Sequence, residues 1–114
     1  KKLSSQVVLE PQDVRHLIFK DRSFDYVVST EAFHHYADQK TALQEMVRVA
    51  RKKVIIVDVN FFFQLLHRLF EMFEPGCVKI NSKEEIKQLF LDAGLKDVHQ
   101  RRNFLFSVVT VGLR

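Results

Sequence analysis

Glycine is scarce and scattered in this chain: Gly76, Gly94 and Gly112 are its three, and no two are close. That spacing excludes a glycine-rich turn between a strand and a helix, the device that lets backbone approach a bound cofactor. The single cysteine, Cys77, excludes an internal disulfide and fits a reducing compartment, so the expected location is the cytoplasm. No apolar run approaches the roughly 20 residues needed to span a bilayer. The opening Lys-Lys-Leu-Ser-Ser-Gln leads only into a short strand-like run, which is not a secretory signal. Long blocks of one charge are missing too. The net charge is +4, but the basic residues are scattered apart from Arg51-Lys52-Lys53 and Arg101-Arg102, the pattern of a solvated surface. That pattern argues against nucleic acid as a partner. What remains is 114 residues, 46% hydrophobic and 28% charged, which suits one domain with a single core. The chain starts with Lys1 rather than Met, and the expectation is that sequence upstream of it is missing.

The most informative stretch is Phe24–His35. A polar turn, Lys20-Asp21-Arg22-Ser23, leads into the apolar run Tyr26-Val27-Val28, as expected of a strand buried on both faces. The run then empties into Ser29, Thr30, Glu31, His34 and His35. In an open parallel sheet, ligands bind just beyond the carboxyl ends of the strands, so this cluster marks a candidate site edge.

The flanking segments read consistently. Val7-Val8-Leu9 is strand-like and stopped by Glu10-Pro11. Asp38 can N-cap a helix through Ala50, with Leu43, Met46, Val47 and Ala50 as its apolar stripe and Gln44, Glu45 and Arg48 facing solvent or neighbouring loops. Arg51-Lys52-Lys53 then complements the helix C-terminus. Val54–Val59 is a second buried strand, and strand, helix, strand implies a parallel crossover that brings Asp58 and Asn60 to the same edge as Thr30 and the histidines. Phe61–Phe73 is an amphipathic helix, with Phe62, Leu65, Leu66, Leu69, Phe70 and Phe73 on one face. Ser82-Lys83-Glu84-Glu85 is a capping box, and Gly94 stops the helix it begins. Val98–Phe104 and Phe106–Val111 form a closing antiparallel pair.

Residues 17–58, from Leu17-Ile18-Phe19-Lys20-Asp21 through Glu45-Met46-Val47-Arg48-Val49 to Val57-Asp58, resemble the middle of a class I S-adenosylmethionine-dependent methyltransferase of the small-molecule, type 11 kind. That family runs through an acidic residue, a strand, a histidine pair, a helix ending E-x-x-R-V and the next strand. The order and spacing match over Asp13–Asp58 and more loosely to Arg114. The family's usual Pro-Gly-Gly turn after the helix is replaced here by lysines. The resemblance implies an α/β fold, a partial Rossmann-like sheet from the third strand onward with a closing antiparallel pair. Residues 1–114 would then be a single unit, the C-terminal portion of a methyltransferase domain lacking the glycine-rich N-terminal half.

The resemblance also implies S-adenosylmethionine as cofactor and a small methyl acceptor. The residue matching the family's adenine-binding acid is Asp13; read alone, Asp13 would more readily cap a turn over Val14–Leu17. Cofactor-binding candidates are Asp13, Val14, Ser29, Thr30, Glu31 and His35. His34 and His35 are candidate general bases, since imidazole titrates near neutral pH. Glu31, His34 and His35 at i, i+3 and i+4 would share one face of a helical turn and could ligate a cation, but one histidine against the cofactor with its neighbour exposed is the preferred reading, and no metal is expected. Asp58, Asn60 and Phe62 are substrate candidates, with a loop-initiating role equally open for Asp58. The Phe-rich segment suits a hydrophobic acceptor, a membrane-surface contact, or a homo- or hetero-oligomer contact through Phe61–Phe73. The alternative is a non-catalytic methyltransferase-like binding or scaffolding subunit.

Overall fold

The computed structural model describes residues 2–4, 7–60, 64–73, 76, 79–103 and 107–114. Two short strands, β1 (Lys2–Ser4) and β2 (Val7–Val8), pair antiparallel with each other, apart from the main sheet. The strand-like run Val7-Val8-Leu9 thus contributes Val7 and Val8 to a strand outside the main sheet. The ladder stops at two residues, and Pro11 soon after has no N–H to extend it. Val7, Val8 and Leu9 consequently stay exposed.

β3 (Phe24–Thr30) then runs parallel to β4 (Ala50–Val59), with Val27 opposite Val54 and Thr30 opposite Val57. Between them lie a short 3-10 turn at Phe33–His35 and α1 (Gln39–Val49). Asp38 caps α1 as the sequence predicts, its carboxylate accepting from the Thr41 N–H at 3.0 Å. Leu43, Met46, Val47 and Ala50 are buried along one stripe. Ala50 is already extended, so the chain passes from helix to strand without an intervening turn. Arg51-Lys52-Lys53, expected after the helix as its dipole complement, instead forms the exposed first part of β4.

α2 (Gln64–Phe73) and α3 (Lys83–Asp92) follow, then β5 (Lys96–Asn103) and β6 (Ser107–Leu113). The capping box at α3 is complete: the Glu85 N–H donates to Ser82 Oγ at 3.1 Å, and Glu85 Oε1 accepts from the Ser82 N–H at 3.0 Å. Gly94 ends that segment at φ +90°, a conformation glycine takes without Cβ strain. The closing strands pair antiparallel as predicted, and β6 inserts between β4 and β5 to give the order β3-β4-β6-β5. Among the described residues only β3 and β4 are parallel.

The core sits on one side of this sheet. Leu43, Met46 and Val47 from α1 and Ile86 and Phe90 from α3 pack with Val54 and Ile56 of β4. The period of two sends Tyr26, Val28, Ile55, Val57, Val109 and Val111 to the other face. Tyr26 and Val28 are each 55% exposed there, which corrects the reading of β3 as buried on both faces. Its composition resembles a central strand, yet β4 is its one strand neighbour among the described residues. Leu69, Met72 and Phe73 on α2 are also exposed. Phe61–Phe63, including the substrate candidate Phe62, lie outside the described residues. Among the described residues, no helix is long and apolar enough to cross a membrane.

Candidate active site at the carboxyl ends of β3 and β4

β3 ends where the ladder to β4 ends. The Glu31 N–H still donates to the Val57 carbonyl at 2.7 Å, but Glu31 itself lies at φ +53°, in the left-handed region. That single residue swings the chain out of the strand and into the turn at Phe33–His35. A groove of about 290 Å³ opens beside the strand end. Its walls come from three stretches: Val14 and Leu17 from the loop before β3, Val27–Thr30 from the strand, and Ala32, Tyr36 and Met46 beyond it. Apolar surface thus dominates, with the hydroxyls of Ser29, Thr30 and Tyr36 among it. Ser29 Oγ and the Tyr36 hydroxyl stand 3.4 Å apart.

The sequence candidates separate into distinct positions. Val14, Ser29 and Thr30 line the groove together. Asp13 adjoins it, but its carboxylate accepts from Arg15, from the backbone N–H at 2.9 Å and from the guanidinium at 3.1 and 3.0 Å. The Arg15 side chain and backbone hold the Asp13 carboxyl down to about 2. The His16 N–H also donates to the Asp13 carbonyl at 3.0 Å, so the local-turn reading of Asp13 describes its contacts.

The two histidines take opposite roles. His34 is 2% exposed and donates from Nδ1 to Asp58 Oδ1 at 2.6 Å. Asp58, at the end of β4, is 1% exposed. Burial pushes its carboxyl up, against the His34 hydrogen bond that favours the charged form. His35 is exposed, and its Nδ1–H donates to the Gly76 carbonyl at 2.7 Å. The two rings lie with centroids 4.1 Å apart. Gly76 sits at φ +78°, a left-handed conformation that favours glycine, while a Cβ there would make only ordinary contact with His35 Nδ1 at 3.4 Å. The left-handed Glu31 precedes the turn rather than belonging to it, so Glu31, His34 and His35 do not share one helical face. Among the described residues, no three His, Cys, Asp or Glu side chains gather as a metal site.

Asn60, a substrate candidate, is instead consumed by the protein. Its amide donates to the Asn81 carbonyl at 2.8 Å, while its own oxygens accept from Arg102 at 2.7 and 2.5 Å. Asp58 is likewise turned into the interior, and burial removes both from a solvent-facing pocket. Tyr36, Gln39, Asn81 and Arg102 carry no motif that singles them out, and only the tertiary arrangement brings them to this edge.

The fold has counterparts in known proteins. A family model described as a methyltransferase domain matches residues 1–58, just over half of the 114. Norajmaline N-methyltransferase of Rauvolfia serpentina is 30% identical over 81 residues, which cover 71% of this chain and 28% of that protein. A SAM-dependent methyltransferase of Thermotoga maritima, described as a possible histamine N-methyltransferase, superposes with a TM-score of 0.72 at 22% identity, over 90% of this chain and 61% of that one. A SAM-dependent methyltransferase of Aquifex aeolicus gives 0.74 at 16% identity, over 96% of this chain and 55% of that one. At these identities the two structures establish the fold alone. In each case the chain spans less than two thirds of the relative's length. With the family model covering more than half of its residues, and with its sheet matching theirs, the chain belongs to the class I S-adenosylmethionine-dependent methyltransferases.

Proposed function

We propose that the protein transfers a methyl group from S-adenosylmethionine to a small, hydrophobic acceptor, with residues 1–114 supplying the C-terminal portion of the methyltransferase domain. The observation carrying this reading is the groove at the end of β3, where Val14, Ser29 and Thr30 meet from separate stretches. Its mixture of apolar wall and hydroxyls fits an adenosine-bearing ligand, and the family membership supports the choice of cofactor. Val14 and Leu17 would pack against the flat ring, the hydroxyls of Ser29 and Thr30 would meet its polar edge, and Asp13 would adjoin it as an acceptor that Arg15 now occupies. The cofactor, when bound, supplies an electrophilic methyl group on a sulfonium.

The protein's own part is alignment and proton removal. Holding the acceptor in near-attack geometry, with water excluded, supplies much of the rate. His35 is the proposed base: Gly76 fixes the proton on Nδ1, which puts the ring's basic nitrogen at Nε2. Buried His34, tied to Asp58, sets the turn that carries it. The exposed Leu69, Met72 and Phe73 on α2 support an apolar acceptor or partner.

The test is isothermal titration of the full-length protein with S-adenosylhomocysteine, with Asp13→Ala in parallel. Asp13 is exposed and, among the described residues, its carboxylate bonds only to Arg15 two residues on, so the substitution is expected to leave the fold intact. Binding that the substitution weakens supports the reading. A full-length protein that does not bind the ligand sinks it, and leaves the non-catalytic binding subunit in its place.

A further inference from the structure

His34 and Asp58 lie 24 residues apart, on a short turn and at a strand end, yet their polar atoms meet at 2.6 Å in the interior. A contact that short between separate elements needs both to be held. The Phe33–His34 backbone is held from outside: Gln39 Nε2 donates to the Phe33 carbonyl at 3.2 Å, and the Lys79 N–H donates to the His34 carbonyl at 3.2 Å. The same Gln39 Nε2 donates to the Lys79 carbonyl at 3.2 Å, which fastens the two segments together. With its nitrogen so placed, Gln39 presents Oε1 to Asn81, whose Nδ2 donates at 2.9 Å.

From Asn81 the chain of bonds returns to β4. The Asn81 carbonyl accepts from Asn60 Nδ2 at 2.8 Å, and Asn60 stands two residues beyond Asp58. Arg102 on β5 anchors this end, donating to both oxygens of Asn60. The bonds thereby close a circuit from His34 through Asp58, Asn60, Asn81 and Gln39 back to the turn. Asn60 and Asn81 are each 2% exposed, and burying such groups is costly unless every one is satisfied. Apolar side chains would fill the same space at less risk, but they would not fix direction.

We infer that Gln39 and Asn81 are positioning residues, which act through this hydrogen-bonded circuit to hold the His34 imidazole on Asp58 and so fix the turn that presents His35. The inference rests on the proposed role of the histidines for its catalytic meaning, but not for its geometry.

The experiment is imidazole nuclear magnetic resonance on the full-length protein labelled with nitrogen-15 in histidine, without cofactor or acceptor. The His34 Nδ1–H is expected as a downfield signal that exchanges slowly with water. Gln39→Met, of similar length but unable to bridge, should speed that exchange by roughly tenfold or more. Asn81→Ala, which cuts only the bond to Gln39, should act in the same direction. Gly112→Ala serves as a destabilised control remote from the circuit and should leave the signal in place. If Gln39→Met and Asn81→Ala fold and keep the signal and its exchange rate unchanged, or if Gly112→Ala alters it as much, the circuit is not what positions His34. Loss of the slow exchange in a protein that fails to bind S-adenosylhomocysteine would uphold the positioning while removing the methyltransferase reading.

Discussion

Glu45 and Arg48, three residues apart on α1, jointly hold the backbone of the loop that leads into β3. Glu45 Oε1 accepts from the Leu17 N–H at 3.1 Å, and Arg48 donates to the Leu17 and Phe19 carbonyls at 3.1 and 2.8 Å. The two side chains also pair with each other at 2.5 Å, and Arg48 reaches Asp21 at 2.8 Å. Because Leu17 walls the groove, this pair shapes the site from its far side. Removing the carboxylate by Glu45→Ala should destabilise the fold by about 1–3 kcal/mol, since it strips a partner from a backbone N–H and from a guanidinium. Urea unfolding would measure it, with faster exchange of the Leu17 amide as the local sign.

The same carboxylate governs part of the response to acid. The Arg48 hydrogen bond, and then the Leu17 N–H, hold the Glu45 carboxyl below its ordinary range, with burial opposing. Asp38 is lowered by its capping bonds from Thr41, and Glu85 by Lys79 and then by the Ser82 N–H. A lowered folded value means that the unfolded chain takes up protons first. The stabilisation is complete above the ordinary carboxylate range and is lost as pH falls through the lowered values. Asp58, pushed up by burial, runs the other way: its part is complete below the ordinary aspartate value and is lost as pH rises through its raised one. Unfolding midpoints measured from pH 7 to pH 3 should therefore fall with acid, and Glu45→Gln should flatten that fall. An unchanged slope in the variant would count against the Glu45 contribution.

A side chain at Gly112 should be costly but not prohibitive. A Cβ there would sit 2.8 Å from Phe90 Cδ2 and 3.0 Å from Leu95 Cβ, and Phe90 is fully buried with nowhere to retreat. Gly112→Ala should cost about 1–3 kcal/mol by overpacking. Restoring the space with Phe90→Leu in the same chain should recover part of it, as a double-mutant cycle would show.

The buried pair should respond to charge and shape differently. Asp58→Ala leaves the His34 Nδ1–H without its acceptor in the interior and should destabilise by about 3 kcal/mol. Asp58→Asn keeps an oxygen there and should cost less than half of that. Equal losses in denaturant unfolding would mean that volume, not the hydrogen bond, holds the turn.

The exposed face of β3 bears on assembly. Tyr26 and Val28 are each 55% exposed beside the half-buried Ile55 and Val57, on a strand whose second edge no described strand covers. A protein of residues 1–114 alone should self-associate in sedimentation experiments. Tyr26→Lys with Val28→Glu should shift it towards monomer. A monomer in both cases would show that this face does not drive association.

Much of this architecture is legible in short windows of sequence. The Asp38 cap, the Leu43–Ala50 stripe, the Ser82–Glu85 capping box, Gly94 and the antiparallel closing pair all depend on neighbours within a few residues, and each is found as predicted. So is the placement of Thr30 and Asp58 at one end of a parallel pair, which follows from the order of strand, helix and strand. The family pattern over Asp13–Asp58 belongs to the same local register. What the tertiary structure alone decided is which polar groups meet. Nothing in the sequence distinguishes His34 from His35, yet one is buried on Asp58 and the other is exposed on Gly76. Asn60, Asn81, Gln39 and Arg102 are unremarkable polar residues until the sheet order β3-β4-β6-β5 brings β5 close enough for Arg102 to reach Asn60. Tyr26 and Val28 suit a buried strand by composition, but burial depends on what lies beside and above them. Local spacing sets backbone geometry through bonds a few residues long; burial and long-range hydrogen bonds are properties of the packed whole.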